Sequence, residues 1–449
     1  MSNQNYNVNL NELLGINDKN INIYHYQEEK IKNITHKVFY ATLSYKPDYC
    51  YKCGCIYDDM FEKHGFISSD IKILKTAGYY SILRLKKQRY LCKHCGKAFT
   101  LKSDIVDYGC FISKAVKLNI AKELINKISE KDVSINNNVS CNTVERIIDS
   151  YYNSKTLYRN YLPEVLSFDE FKSVKSADGA MSFHLCDGTT GQTIDIVEDR
   201  RLFSLLKYFL YYSFNARSRV KFIVIDMYSP YISLINKMFP NAKIIIDKFH
   251  LTQLISRSLN KTRILSMKSN KKDYNKLKRY WRLVLKARDK LDCSKWKRFT
   301  CFDNLMTEVD VVDYLINTSN ELHDTYIVYQ DLLFAIQHNN LSLFKNALNS
   351  NLSNISPYLL TSINTLKEFL PYISNTFNNH YHNGFIEGNN NFIKVLKRIA
   401  FGFRSFTRFK ARIMICKGLI KNRIEKIFPQ YLNVFPFHTT VRTVRYTAV

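Results

Sequence analysis

Two short, purely apolar runs, Phe222 to Ile225 and Ile244 to Ile246, each stop on an aspartate, and the segment between them, Tyr228 to Phe239, has the pattern of one crossover helix. Runs that are apolar on both faces fit strands buried inside a sheet. Upstream, Val165 to Phe171, Met181 to Cys186 and Thr193 to Val197 also read as strands, and a Gly188 to Gly191 turn joins the last two as a hairpin. With a helical stretch at Phe203 to Phe214, the order is three strands, helix, strand, helix, strand, which predicts a mixed α/β sheet.

Three acids stand where that sheet, or a helix covering it, would open into a cleft. Asp169 follows Val165 to Phe168, Asp226 follows Phe222 to Ile225, and Glu387 heads an amphipathic helix over Phe385 to Ile399. On that helix Glu387, Asn391, Lys394 and Arg398 share one face, whereas Phe385, Phe392, Leu396 and Ile399 share another. A metal ligand would thus stand beside three groups suited to phosphate. Two carboxylates about 4 Å apart repel by roughly 4 kcal/mol near a protein surface, so a cluster of them calls for bound cations. A pair of magnesium or manganese ions held by Asp169, Asp226 and Glu387 is the expected use, because two metals can generate a nucleophile and steady a departing 3′ oxygen. Glu170, Asp187, Asp195 and Asp199 are equally acidic neighbours, and pattern alone does not separate them from the trio.

Nearer the N-terminus, Cys50, Cys53, Cys92 and Cys95 form two C-x-x-C pairs around a segment, Tyr80 to Tyr90, that alternates like a strand. This spacing lets both thiolates of a pair reach one structural zinc, with Cys55 as a competing fourth ligand. Next, Lys114 to Ile128 and Val133 to Ile148 fit a helix-turn-helix joined through Ser134 to Ser140. Ser140 would cap the second helix and expose Asn142, Thr143 and Arg146 to DNA.

The formal charge of +27, from 66 Lys and Arg against 39 Asp and Glu, favours a polyanionic partner, and double-stranded DNA is the first candidate. No stretch approaches the roughly 18 apolar residues that span a bilayer, and the polar opening has no signal pattern, so a cytoplasmic, nucleoid-associated protein with no membrane partner is expected. In that reducing compartment the eleven cysteines should not form a disulfide framework.

The blocks Asp169-Glu170-Phe171, Asp226-Met227 with Tyr231, Asp247-Lys248-Phe249-His250, and Asn383-Gly384-Phe385-Ile386-Glu387-Gly388-Asn389-Asn390 resemble the signature blocks of ISL3-type insertion-sequence transposases. The run Lys397 to Phe403 and the cysteine module with Arg89-Tyr90-Leu91-Cys92 extend the resemblance over roughly residues 45 to 415. It implies a multidomain α/β chain: a zinc module, a helix-turn-helix, and a ribonuclease-H-like mixed-sheet catalytic core interrupted by an all-helical insertion. The corresponding boundaries are an arm at 1–44, the zinc finger at 45–105, the helix-turn-helix at 110–160, the core at 161–250 and 376–425, the insertion at 251–375, and a basic tail at 426–449. The same resemblance implies catalytic roles for Asp169, Asp226 and Glu387, accessory roles for Asp247 and His250, binding of transposon ends and target DNA, and assembly as a dimer or larger on DNA. The insertion, which carries Trp281 and Trp296, is the expected place for end or dimer contacts, with both tryptophans equally readable as core. The rival function is a site-specific DNA-binding regulator, derived from a transposase, that has lost catalysis.

Overall fold

The structure is a computed structural model and describes residues 10–152, 159–350 and 353–419. These divide into two compact units, one made of residues up to 152 together with 394–419 and the other of residues 159–393. The basic tail expected at 426–449 lies outside the described residues.

The first unit is built on five strands: β1 (Ile21–Ile31), β2 (Ile34–Leu43), β3 (Phe61–Thr76), β4 (Tyr79–Cys92) and β5 (Lys97–Thr100). The sheet order is β1-β2-β4-β3, with β5 also on β4; β2 and β4 run parallel and the other pairs antiparallel. Two-residue turns close the hairpins, with Lys32 and Asn33 in one and Ala77 and Gly78 in the other all at positive φ, the twist that suits right-handed strand pairs. Residues 21–43, expected to form a polar arm, therefore belong to the sheet. From Tyr24 to Glu28 the side chains of β1 meet solvent, so the apolar alternation that reveals a half-buried strand is missing there.

Three helices follow, α1 (Lys114–Glu123), α2 (Glu130–Asn136) and α3 (Cys141–Tyr151), where the sequence predicted two. Each is started by a serine, with Ser113, Ser129 and Ser140 accepting from the amides of Val116, Asp132 and Thr143. The expected Ser134 to Ser140 connection shrinks to a turn after Asn136, with Asn138 at φ 50°. Ser129, followed by Glu130 and Asp132, supplies a helix start that the polar composition of this short segment obscures.

The second unit holds a five-stranded sheet of β6 (Val165–Lys172), β7 (Met181–Asp187), β8 (Thr193–Val197), β9 (Phe222–Ile225) and β10 (Lys243–Ile246) in the order β10-β9-β6-β7-β8. Strands β6, β7 and β8 form an antiparallel meander, while β9 lies parallel to β6 and β10 parallel to β9. The predicted helix at Phe203 to Phe214 is instead α4 (Leu202–Phe209) and α5 (Phe214–Ser218), separated because Ser213 caps a new start. The crossover is α6 (Ser229–Met238). Phe168, Phe183, Phe209, Tyr231 and Phe239 pack ring against ring between the sheet and these helices.

Beyond β10 come α7 (Lys248–Ser269), α8 (Tyr274–Arg279), α9 (Trp281–Leu285), α10 (Glu308–Ile316), α11 (Asn320–Gln337), α12 (Leu341–Leu348), α13 (Pro357–Glu368) and α14 (Leu370–Phe377). They share one apolar core with the sheet, and α14 covers its edge: Asn375 Nδ2 donates to Ile244 O at 2.9 Å and Thr376 Oγ1 accepts from Ile246 N at 3.0 Å. Trp281 and Trp296 remain 39% and 65% exposed, which excludes full core burial for either. The long helix α15 (Gly384–Ile399) buries Ile386, Asn390, Ile393 and Leu396, so its inner face is rotated from the predicted one and Phe385 is exposed. Among the described residues no helix is long and apolar enough to cross a membrane.

The last helix, α16 (Phe406–Met414), returns to the first unit and packs on α3. Phe406, Phe409 and Ile413 are buried, and the guanidinium of Arg412, 1% exposed, donates to Asn126 O at 3.1 Å and Ile128 O at 2.9 Å past the end of α1. A buried cation bonded to backbone carbonyls is costly to remove. Replacing Arg412 with Ala is expected to lower the unit's unfolding free energy by about 3 kcal/mol, measured by urea denaturation; a change under about 0.5 kcal/mol would contradict this anchoring role.

Candidate functional site

Parallel strands that end together deliver their next residues to one edge of a sheet. Strand β9 is in register with β6 as Ser167 to Val224 and with β10 as Ile246 to Ile225. Extending those registers past the strand ends sets Asp169, Asp226 and Asp247 in a row, with neighbouring backbones about 4.8 Å apart. Asp169 lies within β6, paired with His184 of β7, whereas Asp226 and Asp247 directly follow β9 and β10. Asp247 also begins α7, its carboxylate accepting from Phe249 N at 3.4 Å. One turn into that helix, His250 Nε2 comes back to Asp226 Oδ1 at 2.8 Å. The contact is an ion pair off the line of a hydrogen bond, and Asp226 Oδ1 is buried with no hydrogen-bond partner.

Helix α15 is fastened to this edge by asparagines. Asn383 Nδ2 donates to Phe168 O at 3.3 Å, and Asn390 Nδ2 donates to Asp169 Oδ2 at 2.7 Å. Behind Asn390, its Oδ1 lies 2.7 Å from His184 Nδ1, whose other ring nitrogen lies 3.0 Å from Thr193 Oγ1. An amide oxygen only accepts, so His184 carries its proton on Nδ1 and is neutral when Nε2 accepts from Thr193. The β7–β8 turn seats the same helix: Asn389 Nδ2 donates to Gly191 O at 2.8 Å, and any Cβ on Gly191 would stand 2.8 Å from Phe385 Cβ. Glu387 lies one turn from both Asn383 and Asn390, on the margin between the buried stripe and the exposed face of Asn391, Lys394 and Arg398. Its side chain is exposed. Among the described residues, only the four cysteines close on one another within 4.8 Å as a possible metal group; the acids are set more widely.

The competing acids are otherwise engaged. Glu170 pairs with Arg200 and accepts from Tyr231 Oη at 2.7 Å, while Asp187 receives Thr189 N at 2.7 Å within the turn. Asp195 is fully buried against Tyr208, and Asp199 binds Arg201 and Ser204.

Burial, then the charge of Asp226, pushes the Asp169 carboxyl up to about 7. Burial also raises Asp247. For His250 burial acts downward, but contact with Asp226 and the charges of Asp226, Asp247 and Asp169 outweigh it and hold the imidazole above its ordinary value. Electrostatically, this edge favours an added positive charge.

At the cysteine module, Cys50 and Cys95 Sγ are 3.9 Å apart and Cys53 and Cys92 Sγ 3.8 Å apart. A tetrahedron of metal–sulfur bonds near 2.3 Å has edges of about 3.8 Å, so the four thiols fit one zinc ion. Gly54 and Gly96, at φ 76° and 67°, follow the second cysteine of each pair and turn the chain back over the site. Cys55 lies outside the group; its carbonyl instead accepts from Cys50 N at 2.8 Å. Burial opposes ionisation of Cys50, but the amides of Lys52 and Cys53 and the neighbouring thiols outweigh it and bring that thiol to about 7. On α3, Asn142 and Arg146 are exposed and Thr143 is half-buried, with Arg146 Nε donating to Asn142 O at 3.3 Å.

The sequence reading missed Asn390 and His184 as supports of Asp169. They lie 206 residues apart, and an Asn in a polar run carries no signal of the partner it will meet. The doubled Asn389-Asn390 within the last block was the one hint.

A family model described as a transposase, of the ISL3 DDE type, matches residues 166–413. The transposase for insertion sequence element IS1001 of Bordetella parapertussis is 26% identical over 205 residues, 44% of this chain and 48% of that protein. A Lactococcus lactis subsp. lactis protein named an ATP-dependent protease is 44% identical over 113 residues, 25% of this chain and 36% of that protein. The chain thus covers less than half the length of each of these two relatives.

The native state retains protons on Asp169 and His250 that the unfolded chain releases at lower pH, so both groups make stability fall as pH rises, Asp169 through the window from about 4 to about 7. Magnesium binding the ionised carboxylates would oppose that loss, so it should raise the melting temperature more at about pH 8 than at about pH 5.5, and Asp169→Asn should erase the difference. Equal shifts at both pH values would contradict this reading.

Proposed function

The chain belongs to the ISL3 type of DDE transposases, and from that premise we propose that it binds the terminal inverted repeats of a mobile element and catalyses DNA strand cleavage and strand transfer. The observation that carries the reading is the sheet edge at which Asp169 and Asp226 lie side by side, with the Glu387 helix tied to Asp169 through Asn390. The strand order supports a ribonuclease-H-like core, with α7 to α14 as its helical insertion. Asp226 Oδ1, buried and met by His250 as an ion pair without a hydrogen bond, and the Asp169 carboxyl, raised by burial and by the charge of Asp226, support a cation at this edge.

Asp169, Asp226 and Glu387 would hold two magnesium ions, or manganese in their place. Bound there, the metals would activate a water or a DNA 3′-hydroxyl for attack and stabilise the departing 3′ oxygen. The protein's own share is positioning. Asn390 fixes one carboxylate oxygen of Asp169 and the Glu170 amide donates to the other at 2.7 Å; Asp247 sets the start of α7; and His250, favoured in its charged form, holds Asp226 and adds positive charge near an incoming phosphate. Asn391, Lys394 and Arg398, on the exposed face of α15, would contact the DNA backbone.

Recognition of the element's ends falls to the first unit, where zinc on Cys50, Cys53, Cys92 and Cys95 would stiffen the sheet and Asn142, Thr143 and Arg146 of α3 would read duplex DNA. Joining two ends calls for a dimer or larger assembly on DNA, in a cytoplasmic, nucleoid-associated setting. Asp226→Asn keeps the shape of the side chain but removes its charge. Magnesium-dependent nicking of a cognate end should fall by several orders of magnitude while duplex binding persists; activity equal to wild type would refute the assigned role.

A further inference from the structure

The face of α3 offered to DNA contains an apparent contradiction. Asn142, Glu145, Arg146 and Asp149 fall at i, i+3, i+4 and i+7 and so share one side of the helix, yet two of the four are acids that repel phosphate. The structure offsets the first of them from the far end of the sequence. Arg408 Nη1 of α16, in the same compact unit, lies 2.6 Å from Glu145 Oε1, with the two side chains 44% and 26% exposed.

An ion pair this open contributes little to folding. What holds α16 in place is separate from it: Arg412 on the carbonyls of Asn126 and Ile128, Cys416 Sγ donating to Leu124 O at 3.3 Å, and buried Phe406, Phe409 and Ile413. Arg408 is therefore presented on a fixed support at Glu145, one turn of α3 from Asn142.

Resting on the reading of α3 as a DNA-binding helix, we propose that the duplex-binding surface is composite. Helix α3 supplies Asn142, Thr143 and Arg146, while α16 supplies Arg408, which cancels the charge of Glu145 and adds a phosphate contact of its own. The DNA-reading module of this chain is then assembled from residues on both sides of the catalytic core in sequence.

The test uses the full-length protein and a labelled duplex of random sequence, titrated at several salt concentrations, with thermal melts of every variant. Arg408→Ala should weaken binding about tenfold and reduce the slope of log affinity against log salt by about one unit. Glu145→Gln alone should tighten binding, and added to Arg408→Ala it should restore most of the lost affinity. Unchanged binding by Arg408→Ala, a loss that Glu145→Gln fails to rescue, or no tightening by Glu145→Gln alone would each overturn the composite surface while leaving α3 as the reader. Absence of duplex binding by the wild-type chain would overturn the reading of α3 and this proposal together.

Discussion

Carboxylates placed at the ends of neighbouring parallel strands have nowhere to go. The backbone spacing of a sheet, about 4.8 Å, fixes how close they stand, and the hydrogen-bond register fixes which ones stand together. In this protein that rule brings Asp169, Asp226 and Asp247 to one edge, and the resulting self-repulsion and burial appear as a raised Asp169 carboxyl and a charged-leaning His250 drawn to Asp226. A divalent cation relieves such an edge more fully than a single imidazolium can.

The rest of the second unit serves to hold that edge still. Aromatic packing behind β6 and the capping of β10 by Asn375 and Thr376 leave the sheet little freedom to shift. The chain His184, Asn390, Asp169 does more than anchor a helix, because each bond fixes the orientation of the next group: Thr193 sets the imidazole, the imidazole sets the amide, and the amide sets the carboxylate. Glu387 rides on the same helix between the two asparagines that bind it down, so its distance from Asp169 depends on one rigid element.

Much of this was readable from residues alone where the pattern was local. The runs Phe222–Ile225 and Thr193–Val197 coincide with strands to the residue, and the cap at Ser140 is where its position before an amphipathic segment put it. Local signals failed where burial was incomplete or partners were distant. Strand β1 shows too little alternation because Tyr24 to Glu28 meet solvent on both faces, and α2 is too short and polar to display a period. The inner face of α15 was misjudged because its buried stripe includes Asn390, a polar residue whose burial depends on Asp169 and His184. Glu387 stands out locally only as the acid that heads an amphipathic helix, and the family resemblance then matches the same residue to the two aspartates.

The central claim is that one sheet edge and one helix together form a divalent metal site. Anomalous diffraction from crystals soaked in manganese tests it directly. The account predicts manganese within about 2.2 Å of carboxylate oxygens of Asp169, Asp226 and Glu387. Manganese bound elsewhere, or bound by the two aspartates with Glu387 turned away to solvent, would contradict it.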